Sequence, residues 1–223
     1  KKFKEKKEIN MDRGEAFEAS LPKSDYFSDS YFDVRQLMAQ AMQIKHIHSL
    51  NPKDIIEIGI GNGLTSTFIR NSGVEAVTAD INPNLGPDIC CPMSEILERT
   101  GGRQFDLVVC CEVLEHIPLD QLERNIKTLR ALGSRLFLTL PGYTRSFGFS
   151  LLIKVPFIKA RDYFLYFFLP KTIDLSKTEH FWEVGSEVAT KRRAIINLLK
   201  HYYPSVRSGR ISFQPNQIYF IAE

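Results

Sequence analysis

The stretch Asp54-Ile55-Ile56-Glu57-Ile58-Gly59-Ile60-Gly61-Asn62-Gly63 constrains this chain more than any other. The run of isoleucines is the pattern of a central parallel strand buried on both faces. The glycines that follow let the backbone turn sharply and approach a ligand closely. Leu64 to Asn71 then reads as a helix, so the whole segment is strand, tight turn and helix, as at the start of a nucleotide-binding α/β sheet.

Dinucleotide-binding domains also use a strand, Gly-x-Gly-x-x-Gly and a helix. Gly59 and Gly61 match the first two glycines, but the third position is Leu64 and the glycine stands one residue early, at Gly63. A leucine there opposes the close approach of helix to strand that a pyrophosphate site requires. Glu57 would repel a pyrophosphate and suits a cationic ligand group. A sulfonium amino acid is such a ligand.

Two later segments extend the pattern. Val74 to Ala79 reads as a second strand ending in Asp80, and Phe105 to Cys111 as a further strand running into Glu112-Val113-Leu114-Glu115-His116-Ile117-Pro118. Together these residues resemble the class I S-adenosylmethionine-dependent methyltransferases, in particular the type 11-like, small-molecule branch with a Glu-x-Gly-x-Gly-x-Gly first motif. The resemblance spans Asn51 to Gly142 and weakens on both sides. It implies a Rossmann-like, doubly wound sheet of seven strands, mostly parallel with an antiparallel last strand, helices on both faces and a helical lid insertion.

By that resemblance, Glu57 would hold the methionyl amino end through the turn, and Gly59, Ile60, Gly61, Asn62 and Gly63 would pass beneath S-adenosylmethionine. Asp80 would accept both ribose hydroxyls, since a carboxylate can accept two hydrogen bonds at once. Ile81 would pack on the adenine face, Asp88 with Ile89 would read the adenine edge, and Cys110 would line the pocket through its backbone. Methyl transfer needs an aligned acceptor and a proton acceptor, and requires no metal. His116 is a candidate base or a loop-shaping residue. His180, in the segment Glu179-His180-Phe181-Trp182-Glu183, is a second candidate or a packing residue. Glu112 is read as a substrate contact or second acid, or as a solvent-facing carboxylate.

Residues 1–30 read as a polar, turn-rich extension with a basic, solvated start at Lys1 to Lys7, and 31–223 as one methyltransferase domain. Asp33 to Leu50 has helical periodicity, Leu119 to Leu132 reads as a helix, Arg135 to Leu140 as a strand, Glu187 to Tyr203 as the last helix, and Val206 to Phe213 with Gln217 to Ala222 as a closing hairpin. Residues 143–180 form an insertion in the lid position, dense in aromatics with Lys154, Lys159, Arg161 and Lys171 between them. Its uncharged runs are too short to span a bilayer. The cysteine pairs Cys90-Cys91 and Cys110-Cys111 lack C-x-x-C spacing and are expected as free thiols in a reducing cytoplasm. No leader is visible, and the chain does not begin with Met.

A formal net charge of +3 is too small to argue for nucleic acid. Base-methylating enzymes often carry an Asp/Asn-Pro-Pro-aromatic turn where this chain has Cys111-Glu112-Val113-Leu114, which further argues against nucleobases. The expected acceptor is a small molecule, a glycan or a lipid-linked molecule, methylated on a hydroxyl. The aromatic lid is either an apolar acceptor wall or a self-packed element. Aromatics interspersed with cations over 146–170 also suit peripheral contact with a membrane. The rival readings are a noncatalytic partner that keeps the fold and, disfavoured by Leu64 and Glu57, a nicotinamide-dependent oxidoreductase.

Overall fold

The computed structural model describes residues 13–223, so the basic start at Lys1 to Lys7 lies outside the described residues. Two short elements open it, α1 (Glu15–Ser20) and a 3-10 turn over Lys23–Phe27. The longer α2 (Val34–Ser49) follows, capped by Asp33, whose carboxylate accepts from the Arg35 N–H at 2.9 Å. That bond satisfies one of the donors left free in a first helical turn.

The alternation expected from the sequence follows: β1 (Asp54–Ile58), α3 (Leu64–Asn71), β2 (Glu75–Asp80), β3 (Ile89–Cys90), α4 (Ile96–Arg99), β4 (Phe105–Cys111), α5 (Leu122–Leu132) and β5 (Gly133–Pro141). After an insertion come α6 (Arg192–Lys200), β8 (Val206–Ile211) and β9 (Gln214–Ala222). The seven-stranded sheet has the order β3-β2-β1-β4-β5-β9-β8. Strands β1 to β5 are parallel, and β9 runs antiparallel to both β5 and β8. The last strand thus fills the gap between β5 and β8.

Adjacent strand residues point to opposite faces, so each buried strand feeds two cores. Ile55, Leu107, Val109 and Phe137 pack with Ile44 and Ile47 of α2 and Ile69 of α3. Ile56, Val108, Leu136 and Leu138 pack with α5 and α6 through Ile126, Leu129, Ile195 and Leu199. This is why the isoleucine run of β1 shows no polar alternation.

Two expectations are corrected. The insertion expected as a helical lid is an antiparallel ribbon of β6 (Thr144–Ile153) and β7 (Arg161–Pro170) in a sheet of its own. The reason is visible in its period of two: Phe147, Phe149, Leu151 and Ile153 alternate with smaller or differently facing residues and suit a pleated strand. The last helix is also shorter than Glu187 to Tyr203, beginning at Arg192. Residues before it are held in turns instead, with the Gly185 N–H donating to the Thr190 carbonyl and the Thr190 hydroxyl accepting from the Glu187 N–H, each at 3.0 Å.

After the ribbon the chain returns beside β5. The Tyr143 N–H donates to the Val184 carbonyl at 2.9 Å and the Val184 N–H to the Pro141 carbonyl at 2.8 Å. Trp182, fully buried, donates its Nε1–H to the Ile117 carbonyl at 3.0 Å. These bonds bring His180 to the loop after β4. None of the described helices is long and apolar enough to cross a membrane.

Candidate active site

A cavity of about 710 Å³ opens at the carboxyl ends of β1, β2 and β4. Connections from β1 and β4 leave in opposite directions along the sheet, and crevices of α/β sheets form at such a switch point. Its floor is the glycine turn after β1. Gly59 has φ +78°, and a Cβ there would stand 2.2 Å from Val113 Cγ2, so only glycine fits between the turn and the loop after β4. Gly63, with φ +74°, starts α3.

Asp80, at the end of β2, is clamped by this turn. Its Oδ2 accepts the Ile60 N–H and its Oδ1 the Asn82 N–H, each at 2.8 Å. A carboxylate oxygen can accept more than one bond, so each retains capacity toward the cavity. Glu57 is buried on the same floor with Oε2 lacking a hydrogen-bond partner. Burial pushes its carboxyl up to about 7 against the opposing pull of Ser66.

Opposite the floor, residues 14–32 lie across the cavity and contribute Glu18, Leu21, Tyr26 and Tyr31 to its wall. They are fastened to the link after β2, since the Leu21 carbonyl accepts from Asn82 Nδ2 at 2.9 Å and Asn84 Nδ2 at 3.1 Å. Burial, aided by Glu179 and Glu18, raises the Tyr31 phenol to about 12, so it remains a hydrogen-bond donor at neutral pH.

The loop after β4 and the return segment gather acids and histidines on the cavity wall. Glu112, at φ +54°, is raised to about 7 by burial, and Glu115, fully buried with neither carboxylate oxygen hydrogen-bonded, is raised well above the usual range. His116 Nδ1 stands 2.9 Å from Glu18 Oε1. Burial opposes its charging, but Glu18 and the neighbouring acids outweigh that and lift it to about 9. Its ring meets that of His180 edge to face, 5.0 Å between centroids. His180 Nδ1 lies 3.0 Å from Glu183 Oε1, and Glu183, 1 % exposed, is gripped by Lys171 Nζ at 2.6 and 2.8 Å. Glu115, His116 and His180 each offer one ligand atom within 4.8 Å of one another and could supply part of a divalent-cation site.

The ion pair of His116 with Glu18 carries a pH signature. A histidine whose folded pKa is raised from 6.5 to about 9 adds stability that is fully present below 6.5 and is lost as the pH rises through 9. Wild type is therefore expected to exceed His116→Gln in urea-unfolding free energy by about 3 kcal/mol at pH 6, with the difference gone above pH 9.5. A difference independent of pH would show that the contact carries no charge.

A family model described as a methyltransferase domain matches residues 31–177, more than half of the chain. The chain belongs to this methyltransferase family. Among curated proteins it is similar to the ubiquinone biosynthesis O-methyltransferase of Coxiella burnetii (strain RSA 493 / Nine Mile phase I), 27% identical over 149 residues. That match takes in 58% of this chain and 62% of the relative, so it spans less than two thirds of the relative's length. A protein of the same name from Azoarcus sp. (strain BH72) is 27% identical over 105 residues, 35% of this chain and 45% of that one. Among solved structures, an S-adenosylmethionine-dependent methyltransferase from Archaeoglobus fulgidus superposes with a TM-score of 0.60 at 14% identity, covering 89% of this chain and 98% of that one. Magnesium protoporphyrin IX methyltransferase from Synechocystis PCC 6803, solved with S-adenosylmethionine bound, gives 0.58 at 16%, covering 94% of each. The fold is the one these methyltransferases share.

Within this methyltransferase domain, Glu57, Gly59, Ile60, Gly61, Asp80, Ile81, Glu112, His116 and His180 all line the cavity. Five expected residues do not line it. Gly63 and Asn62 instead start α3, where Asn62 Oδ1 accepts the Leu64 N–H at 3.1 Å and pairs with Gln40. Asp88 spends its carboxylate on Thr78, accepting from its N–H at 2.8 Å and its hydroxyl at 2.7 Å, and on an ion pair with Arg70. Ile89 packs against the core on the α5 side, and the cavity wall there is made by Cys91, Met93 and Ile96. Cys110 is buried in the core beneath the sheet, and Cys111, one residue on and facing the other way, takes the cavity side. Sequence reasoning missed Glu18, Tyr26, Tyr31, Cys91, Met93, Lys171 and the roles of Glu115 and Glu183. Only Glu115 and Glu183 carried a signal, each lying within three residues of a histidine already singled out.

Proposed function

We propose that the chain transfers a methyl group from S-adenosylmethionine to a hydroxyl of a small-molecule, glycan or lipid-linked acceptor. The observation that carries the reading is the Asp80 carboxylate, fixed by the Ile60 and Asn82 amides at the switch-point cavity, with His180, paired to Glu183, lining the same cavity. When bound, S-adenosylmethionine supplies an electrophilic methyl group on a sulfonium.

The residues present fit that donor. The turn at Gly59 leaves no room for a side chain, and the buried, unpartnered Oε2 of Glu57 suits the cationic amino end. Asp80 would take the ribose hydroxyls and Ile81 the adenine face, with Cys91 and Met93 rather than Asp88 at the adenine edge.

A hydroxyl must lose its proton as it attacks. His180 is supported as the base because Glu183 takes its Nδ1–H, which leaves the Nε2 lone pair for the acceptor. Lys171 keeps Glu183 ionised: although burial works against it, the bonds from His180 and Lys171 hold this carboxyl below its usual range. His116, held cationic by Glu18, is suited to orienting the acceptor rather than to taking a proton. Glu112 and Glu115, both kept protonated more readily by burial, can donate hydrogen bonds to an acceptor oxygen. That the Coxiella and Azoarcus relatives are named as O-methyltransferases supports oxygen as the acceptor atom.

Calorimetric titration with S-adenosylmethionine, S-adenosylhomocysteine and a nicotinamide dinucleotide tests the reading. The first two are expected to bind in the micromolar range or tighter, about −8 kcal/mol, and the third not measurably. Dinucleotide binding alone would overturn the assignment.

A further inference from the structure

The β6–β7 ribbon is the largest feature of the chain that methyl transfer does not use. It is ten residues long on each strand, about 33 Å at the usual rise, and hydrogen-bonds to no other strand of the described chain. Its two faces differ. One leans on the body at its base: Phe164 meets Phe213 edge to face at 4.8 Å, the Tyr166 hydroxyl donates to the Ser212 carbonyl at 2.8 Å, and Arg210 lies 3.9 Å over Phe168. The other carries the directly opposed pairs Phe147–Phe167, Phe149–Leu165 and Leu151–Tyr163, each of these side chains 48 to 63 % exposed. The connecting tip places Phe157 wholly in solvent, between Lys154 and Lys159 with Arg161 beside them. Across residues 143–173 there are five cations and a single acid, Asp162.

We propose that this ribbon docks the protein on an anionic lipid bilayer. A contiguous apolar face of this size on a soluble domain marks an interaction surface. Its cationic tip complements acidic headgroups, whereas a second copy of the chain would bring like-charged tips together. Open ribbon edges carry unpaired N–H and C=O groups that hydrocarbon cannot satisfy, so the ribbon lies flat at the headgroup level with its apolar face down and does not cross. The ribbon base adjoins the cavity at Pro141 and, through Lys171, grips Glu183 behind His180. An acceptor that partitions into the bilayer would thus enter at the level where it resides. This docking is independent of the acceptor's identity, so either reading can fail while the other stands.

Vesicle co-sedimentation of the full chain provides the test. Wild type is expected to pellet with phosphatidylglycerol vesicles, more weakly with phosphatidylcholine, and to lose affinity as salt is raised. Phe149→Glu with Leu165→Glu should reduce binding at least tenfold. Replacing Lys154, Lys159 and Arg161 by alanine should cost roughly fivefold for each cation removed. Both variants should keep wild-type affinity for S-adenosylhomocysteine, and Phe157→Glu at the isolated tip serves if the double variant does not fold. Wild type that stays in the supernatant with phosphatidylglycerol at low salt overturns the proposal. So does a wild-type dimer, made monomeric by the same variants, that ignores vesicles.

Discussion

Replacing His180 by alanine is expected to lower kcat for methyl transfer by about 10²- to 10⁴-fold, the range for loss of a positioned general base. Affinity for S-adenosylhomocysteine should stay within about threefold, because the side-chain contacts of His180 are with Glu183 and His116 and not with Asp80 or the glycine turn. Glu183→Gln keeps the shape of the partner but removes the charge that Lys171 and His180 share. Its kcat should fall by about ten- to a hundredfold, with the KM for the donor unchanged. His116→Gln, which removes a cation rather than a base, should cost less than Glu183→Gln. A variant series in which His116 matters most and His180 least would reverse the assignment.

Asp80→Ala is expected to weaken S-adenosylhomocysteine binding by about 10²- to 10³-fold. Two hydroxyl bonds to a charged acceptor are worth about 1.5–3 kcal/mol each, and the Ile60 and Asn82 amides would also lose their partner. Asp80→Asn should do little better. Each oxygen of Asp80 accepts a backbone N–H, and an amide, whichever way it turns, sets its NH₂ against one of those donors. Asp88→Ala supplies the contrast: its carboxylate is spent on Thr78 and Arg70 outside the cavity, so ligand affinity should stay at the wild-type level while stability falls. Weakened binding in the Asp88 variant and normal binding in the Asp80 variants would exchange the two roles.

The glycine-turn side of the cavity was legible because it is local. Strand, glycine turn and helix from Asp54 to Asn71 specify one another over a few residues, and the end of the next parallel strand must lie beside that turn, which brings Asp80 to Ile60. The side chains of Asp88 and Cys110 stay off the cavity for a common reason. A sequence position says that a residue sits near a strand end, but the phase of the pleat decides which face its side chain takes. Thr78 drew Asp88 to the outer side, and one step along β4 placed Cys111, not Cys110, at the cavity. The lid was misread because its aromatic density was weighed above its period of two, which was present in Phe147, Phe149 and Leu151 throughout.

What the sequence alone determined is the methyltransferase fold, the glycine turn after β1 with Asp80 beside it, and the loop after β4 as a wall of the same cavity. Only the tertiary structure decided which groups act together there. Glu18 reaches His116 from far upstream in the chain, and Lys171 at the base of the ribbon fixes Glu183 behind His180. Turns and helix starts arise from neighbours a few residues apart, whose geometry the backbone dictates. Pairs far apart in the chain meet only once the sheet order and the return of residues 180–184 along β5 have brought their strands' ends together. In that assembled cavity the partners outweigh burial and keep His116 and Glu183 charged.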